Sequence, residues 1–130
     1  MDGLEHALPT WLGTRAYDAE GARLGHVADV LFDEATQRPA WLLLVLLRAR
    51  ERFVLVPARG VVHRAGAIEV PVLRELVRDA PVRALPPGEL GVEHAHALAR
   101  HYGVRVGAGP WRGIVEPDVA RAEDRVRMAG

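Results

Sequence analysis

The stretch AWLLLVLL, residues 40–47, carries eight consecutive side chains without a polar group. A membrane-spanning helix needs about 20 apolar residues, and this run is bounded by Pro39 and by the arginines that begin at Arg48, so it is too short for a bilayer span. In a β-strand, alternate side chains point to opposite faces. One face would carry Trp41, Leu43, Val45 and Leu47, and the other Leu42, Leu44 and Leu46. Both faces are apolar, so protein must cover both.

Two strand-like segments precede this run. Residues 11–17 indicate a strand that enters a tight turn, in which Gly21 is free to adopt a positive φ. Residues 23–33 indicate a second strand, but their apolar positions change parity halfway. An extra residue in one strand of a pair produces such a change. We therefore expect a β-bulge near Ala28 or Asp29.

Further short strands follow the apolar run. Residues 34–39 form the loop before it, and residues 48–51 turn the chain after it into a strand that begins at residue 53 and ends at Pro57. Residues 61–71 are typical of a hairpin that turns at Ala65 and Gly66. Five or six short strands within about 60 residues are the spacing of a small β-barrel.

The chain changes character after the last predicted strand. A proline-rich connector leads into residues 89–103, where Leu98 and Tyr102 share one side of a predicted helix that ends at Gly103. Residues 107–113 indicate a hinge, and residues 116–128 a short second helix. The predicted organisation is a barrel domain at residues 10–80, a connector and helix at residues 81–104, and a flexible tail at residues 105–130.

Composition excludes several classes of function. The chain has 130 residues, which suits one domain, and its 17 basic residues, all arginine, balance 17 acidic ones. It contains no cysteine and no serine, which excludes disulfides, thiolate chemistry and a serine nucleophile. Residues 1–13 carry acids and lack the apolar core of a signal peptide. We expect a cytoplasmic protein without a membrane span.

The order of these segments resembles the PRC-barrel family, the small barrel shared by the H subunit of purple bacterial reaction centres and by the C-terminal half of ribosome maturation factors. The resemblance covers about residues 11–104. It rests on DAEGARLGHVADVLFDEATQRPAWLLL (18–44), RFVLVPA (52–58), IEVPVLRELVRDAP (68–81) and ARHYGV (99–104). The resemblance implies a mainly β fold: a small closed or partly open barrel followed by a C-terminal helical segment. These are packing and turn motifs, so they imply little chemistry. No transmembrane helix precedes the predicted barrel, so we do not expect a reaction-centre subunit.

The two-sided apolar strand is the predicted interaction surface. One face of a barrel strand fills the interior and the other faces outward, and the predicted interaction surface is the set Leu42, Leu44 and Leu46. These side chains are covered either by the helix around Leu98 and Tyr102 or the tail through Trp111 and Val119, or by a second copy of the chain. The sequence leaves open which parity points inward.

Candidate chemical sites are weak. The acidic residues Asp18, Glu20, Asp29, Asp33 and Glu34 could gather around a hard cation, but they lack the ligand spacing of a dedicated loop. The histidines that follow His6 show neither an i, i+4 chelate nor a nucleophile partner: His26, His63, His94, His96 and His101. We therefore predict no enzyme, no catalytic residue, no metal site and no cofactor.

One basic patch stands out in the sequence. Arg48, Arg50 and Arg52 alternate along a predicted hairpin tip, with Arg38, Arg59 and Arg64 as possible neighbours. Such a patch could contact RNA or phosphate, or simply form a solvated hairpin end that prevents edge pairing. The sequence predicts a non-catalytic interaction or assembly module that self-associates or binds another protein. The alternative is an RNA- or ribosome-associated accessory protein that uses the arginines.

Overall fold

The computed structural model of the chain describes residues 11–47, 52–81, 89–107 and 109–113. The strands are β1 (Arg15–Tyr17), β2 (Arg23–Asp33), β3 (Arg38–Leu46), β4 (Phe53–Pro57), β5 (Val62–Arg64), β6 (Ala67–Glu69), β7 (Glu89–Leu90) and β8 (Trp111–Gly113). The helices are α1 (Arg74–Arg78) and α2 (Val92–Tyr102). The predicted tail helix at residues 116–128 lies outside the described residues.

The eight strands found among the described residues belong to one sheet built around β2. The main path runs β4-β3-β2-β1-β6-β5, and all its neighbours are antiparallel except β1 and β6. β3 pairs along one edge of β2, whereas β1 and β8 share the other edge. Within the described residues the sheet does not close on itself. The predicted mainly β fold with a helix after the barrel strands is therefore confirmed, in its partly open form.

The predicted bulge in β2 is present. Val27 pairs with Leu44 and Asp29 pairs with Leu43, so Ala28 is an extra residue without a partner in β3. Because of this extra residue, the apolar side chains before and after the bulge point to the same face of the sheet. The change of parity in the sequence therefore correctly predicted the bulge.

The predicted turns have the expected backbone. Gly21 has a φ of 87°, and the β5–β6 hairpin turns through Ala65 and Gly66 with φ of 45° and 77°. Positive φ at both central residues is the twist that a two-residue hairpin needs. Gly25 is needed for a different reason: β3 passes so close that a Cβ at this position would collide with the carbonyl oxygen of Val45.

One face of the sheet forms the core. Cross-strand partners place their side chains on the same face, and the partners on this inner face are fully or almost fully buried. They are Ala16, Val27, Val30, Leu42, Leu44, Val54, Val56 and Ile68. The inner face is therefore a closed apolar layer across β1, β2, β3, β4 and β6.

The helix α2 packs against the sheet at β4. Its buried side includes Ala95, Leu98 and Tyr102, and the Tyr102 hydroxyl donates a 2.6 Å hydrogen bond to the Leu55 carbonyl. Gly103 ends the helix in the left-handed conformation, as predicted. The helix begins at Val92 and not at residue 89, since residues 89–90 form β7.

Three local predictions differ from the structure. Residues 11–14 are not part of a strand, and β3 begins at Arg38, inside the predicted loop. The hinge prediction for residues 107–113 is wrong at its end, because Trp111–Gly113 pairs as β8 with the edge of β2 that β1 leaves open. A three-residue strand has no periodicity to read, so only its partner reveals it. No helix among the described residues has the length and apolar character to cross a membrane.

Candidate interaction surface

The structure places the predicted interaction leucines on the inner face. Leu42 and Leu44 are each 0% exposed, and Leu46 is half-buried. Leu44 lies between its partners Val27 and Val54, and Leu42 lies between Val30 and Val56. The chain itself therefore covers Leu42 and Leu44, and neither can belong to an exposed docking surface. The prediction that Leu42 and Leu44 form an interaction surface is therefore corrected. The side chains of β3 that face outward are the alternate set that begins at Trp41.

The outer face of β3 and β4 is apolar and open at one end. Val45 pairs with Phe53 and Leu43 pairs with Leu55, so these side chains share that face. Val45 and Leu43 are half-buried, whereas Phe53 is 45% exposed. We call Leu43, Val45 and Phe53 the outer-face patch. Leu47, which is 50% exposed, follows directly after β3 at the same end.

The chain covers the other end of this face. Trp41 and Leu55 are buried, and so is Leu31, the partner of Trp41 in β2. Helix α2 contacts β4 in this region, and its Tyr102 reaches the backbone of Leu55. The chain itself therefore buries this end of the outer face, but it leaves Phe53 exposed.

The strand β4 ends the sheet within the described residues. The backbone bonds Leu46 N–H to Arg52 carbonyl and Ala58 N–H to Ala40 carbonyl fix the antiparallel pattern between β3 and β4. In that pattern the backbone groups of Phe53 and Leu55 point away from β3. The Leu55 carbonyl accepts the Tyr102 hydroxyl. The exposed side chain of Phe53 thus lies on an edge strand, next to backbone groups directed outward.

The arginine patch is only partly described. Arg48 and Arg50 lie outside the described residues. Arg52 donates a 2.6 Å hydrogen bond from Nη2 to the Arg78 carbonyl at the end of α1, so its guanidinium has a role within the fold. Arg38 lies at the far end of β3, about 25 Å from Arg52 at 3.3 Å per residue, and Arg59 follows the far end of β4. Among the described residues, the structure therefore does not bring Arg38 and Arg59 close to Arg52.

Asp18 has a structural role. One carboxylate oxygen accepts the N–H groups of Glu20 (2.9 Å) and Ala22 (2.7 Å), and the other accepts the N–H of Arg74 (2.8 Å) at the start of α1. Burial by itself would raise the pKa of Asp18, but the hydrogen bonds from Ala22, Arg74 and Glu20 and the charge of Arg74 outweigh it and lower this pKa below its usual value. An ionised carboxylate therefore holds the β1–β2 turn against α1.

The other acids are also used locally. Asp29 accepts the N–H of Val30 and Asp33 that of Ala35 (both 2.8 Å), while Glu34 forms an ion pair of 2.6 Å with Arg112 of β8. No group of three or more potential metal ligands occurs among the described residues. Four of the five acids considered for a cation site, all except the exposed Glu20, thus hold turns and strands in place.

Three histidines contribute to packing. The Nε2 atoms of His101 and His94 lie 2.6 Å from the Leu76 carbonyl and 3.3 Å from the Pro81 carbonyl. A carbonyl only accepts, so each of these nitrogens carries the proton. The ring of His63 stacks on Trp11 at 6.1 Å between centroids. His26 and His96 are exposed. These contacts join the helices and the hairpin to the rest of the fold.

The sequence correctly places Phe53 in a strand, but it does not indicate that this side chain lies at the surface. The face on which Phe53 lies follows from its pairing with Val45. This register between β3 and β4 cannot be read from composition. A second feature, a groove beside α2, also had no sequence signal, because its lining residues come from the helix and from the irregular segment that follows it.

The comparisons with known proteins agree with this architecture. A family model described as PRC-barrel domain matches residues 5–77, more than half of the 130 residues. The comparison with curated proteins gives no match. The matched region includes strands β1 to β6 and most of α1, which contain the bulged β2, the apolar β3 and the inner-face core. The chain belongs to the PRC-barrel domain family.

Proposed function

We propose that the chain is a non-catalytic protein-interaction module that self-associates through the outer-face patch. The observation that carries the proposal is the 45% exposure of Phe53 beside half-buried Val45 and Leu43, on a strand pair whose inner face is fully packed. Scattered apolar side chains are normal on a surface, but a contiguous group of them marks contact sites. Leu47 extends this group at the end of β3.

The family supports this role. PRC-barrel domains are generally non-catalytic and generally mediate protein interactions. The titratable side chains that an enzyme would need are engaged elsewhere: Asp18 in a turn, His101 at a helix end and Glu34 in an ion pair. The described surface thus offers apolar contact area more readily than catalytic chemistry.

A second copy of the chain suits the outer-face patch. The two halves of a two-fold interface are the same surface, so a patch must be complementary to itself. Phe53 lies on an edge strand, and its outward N–H and carbonyl could pair with the same groups of an antiparallel copy of β4. The apolar side chains of the two copies would then meet across the axis.

The proposal predicts that Phe53→Ala weakens self-association. The exposed part of a phenylalanine contributes roughly 1 kcal/mol when it is buried, and a two-fold interface contains the residue twice. The expected loss is about 2 kcal/mol, or about 30-fold in the dimer dissociation constant. Sedimentation equilibrium over a wide range of protein concentration measures this constant.

Val92→Ala is the matched control. Val92 is also about half exposed, at 51%, but it lies at the start of α2, outside the outer-face patch. We expect its dimer dissociation constant to equal that of the unmodified chain. A chain that remains monomeric at every concentration, or equal weakening by both substitutions, would remove the basis of the proposal.

A further inference from the structure

An open groove of about 480 Å³ lies beside the last turns of α2. Gly103 has a φ of 69°, and this left-handed conformation ends the helix. The Val104 N–H then donates to the Ala99 carbonyl at 2.9 Å, which keeps the following segment next to the helix. The groove lies between the helix and this segment, and its volume falls within the range of roughly 300–1,000 Å³ typical of ligand pockets.

The groove combines an apolar floor with a cationic rim. Ala99 is buried, and Val104 and Val106 are half-buried and pack against the core. The polar side chains that line it are Arg100, Arg105 and His96, all exposed, and no acidic residue lines it within the described part of the chain. Neither Arg100 nor Arg105 forms an ion pair with another described residue. The rim therefore presents positive charge without a partner in the described residues.

Beside the rim, the backbone N–H groups of Arg105 and Val106 have no backbone partner among the described residues. Residues 104–107 are alternately half-buried and exposed, as in a strand with one packed face. They pair with no strand in the described residues. The backbone bonds found between described residues include none from the Arg105 or Val106 N–H. An extended peptide can add to such a segment through main-chain hydrogen bonds.

We propose that this groove binds a short acidic peptide segment of a partner protein. Its carboxylates pair with Arg100 and Arg105, and an aliphatic side chain between them packs on Val104 and Val106. Charge complementarity selects this occupant, since the rim is cationic and the floor is apolar. A nucleic acid would need aromatic surfaces for its bases, and no aromatic residue lines the groove. The site is separate from the outer-face patch and goes beyond self-association.

The test uses the full chain and a fluorescein-labelled peptide, Asp-Leu-Glu-Val-Asp, with Asn-Leu-Gln-Val-Asn as the uncharged probe of equal size. Fluorescence anisotropy gives both dissociation constants. We expect the acidic peptide to bind, and Arg100→Gln combined with Arg105→Gln to weaken its binding about tenfold, since two exposed ion pairs are lost. Amide chemical shifts should move at Ala99, Val104 and Val106.

Arg59→Gln is the matched control, because Arg59 is an exposed arginine that does not line the groove. We expect this variant, like Phe53→Ala, to bind the acidic peptide unchanged, which separates the groove from the proposed self-association. If the double arginine variant has the same thermal unfolding midpoint as the unmodified chain, its fold is intact. Equal binding of the uncharged peptide, equal loss with Arg59→Gln, or displacement of the peptide by oligouridylate overturns the proposal.

Discussion

Asp18 joins two parts of the fold through one buried carboxylate. Its three backbone hydrogen bonds connect the β1–β2 turn to the first residue of α1. An aspartate in the turn sequence DAEG is typical of a side chain that bonds the backbone two residues later. The bond to Arg74 spans 56 positions of sequence, so no local pattern could have predicted it.

The lowered pKa of Asp18 predicts acid sensitivity. A carboxylate whose folded-state pKa is below its unfolded value stabilises the fold above the unfolded pKa, about 3.9, and loses this contribution as the pH falls through the folded value. Asp18→Asn replaces one acceptor with an NH₂ group that cannot accept from backbone N–H. We expect a loss of about 1–3 kcal/mol in the free energy of unfolding at pH 7.

Urea unfolding at pH 7 and again below pH 4 measures this effect. The difference between the unmodified chain and Asp18→Asn should shrink in acid, because protonation of Asp18 then weakens the same bonds. Glu20→Gln is the control, since Glu20 is an exposed acid in the same turn, and it should change stability little at either pH. A difference for Asp18→Asn that stays constant with pH would contradict the role of the charged carboxylate.

At the scale of elements, polar contacts hold α2 to the sheet and to α1. The Tyr102 hydroxyl donates to the Leu55 carbonyl at the edge of β4, and His101 bonds the Leu76 carbonyl in α1. Burial raises the pKa of Tyr102, so its hydroxyl keeps its proton and remains a donor. The helical spacing of Leu98 and Tyr102 correctly indicated the packed side of α2. It could not indicate the strand that receives it.

Tyr102→Phe removes this hydroxyl and keeps the ring. The Leu55 carbonyl then loses its partner at a buried position, so we expect the free energy of unfolding to fall by about 1–2 kcal/mol. Tyr17→Phe is the control, because Tyr17 is half-buried in β1 and its hydroxyl bonds to no described residue. Equal losses for both variants would show that the hydroxyl of Tyr102 does not hold α2 on β4.

Across the whole molecule, the sequence predicted the strands better than their faces. The bulge at Ala28 and the hairpin at Ala65 and Gly66 follow from parity and turn chemistry, which are local. The inward parity of β3 is not local: both parities are apolar, and only pairing with Val27 and Val54 fixes the core set. For this reason the sequence left open which side chains of β3 face outward, and it gave no indication of the groove beside α2.

The two parities of β3 therefore predict opposite outcomes for neighbouring leucines. Leu44 is 0% exposed in the core, so Leu44→Ala should lower the free energy of unfolding by about 2–5 kcal/mol. Leu43 is half-buried in the outer-face patch, so Leu43→Ala should cost roughly half as much stability while it weakens self-association. Urea unfolding and sedimentation equilibrium separate the two effects. If Leu43→Ala destabilised the monomer more than Leu44→Ala, the face assigned here as the core would have to be the outer one.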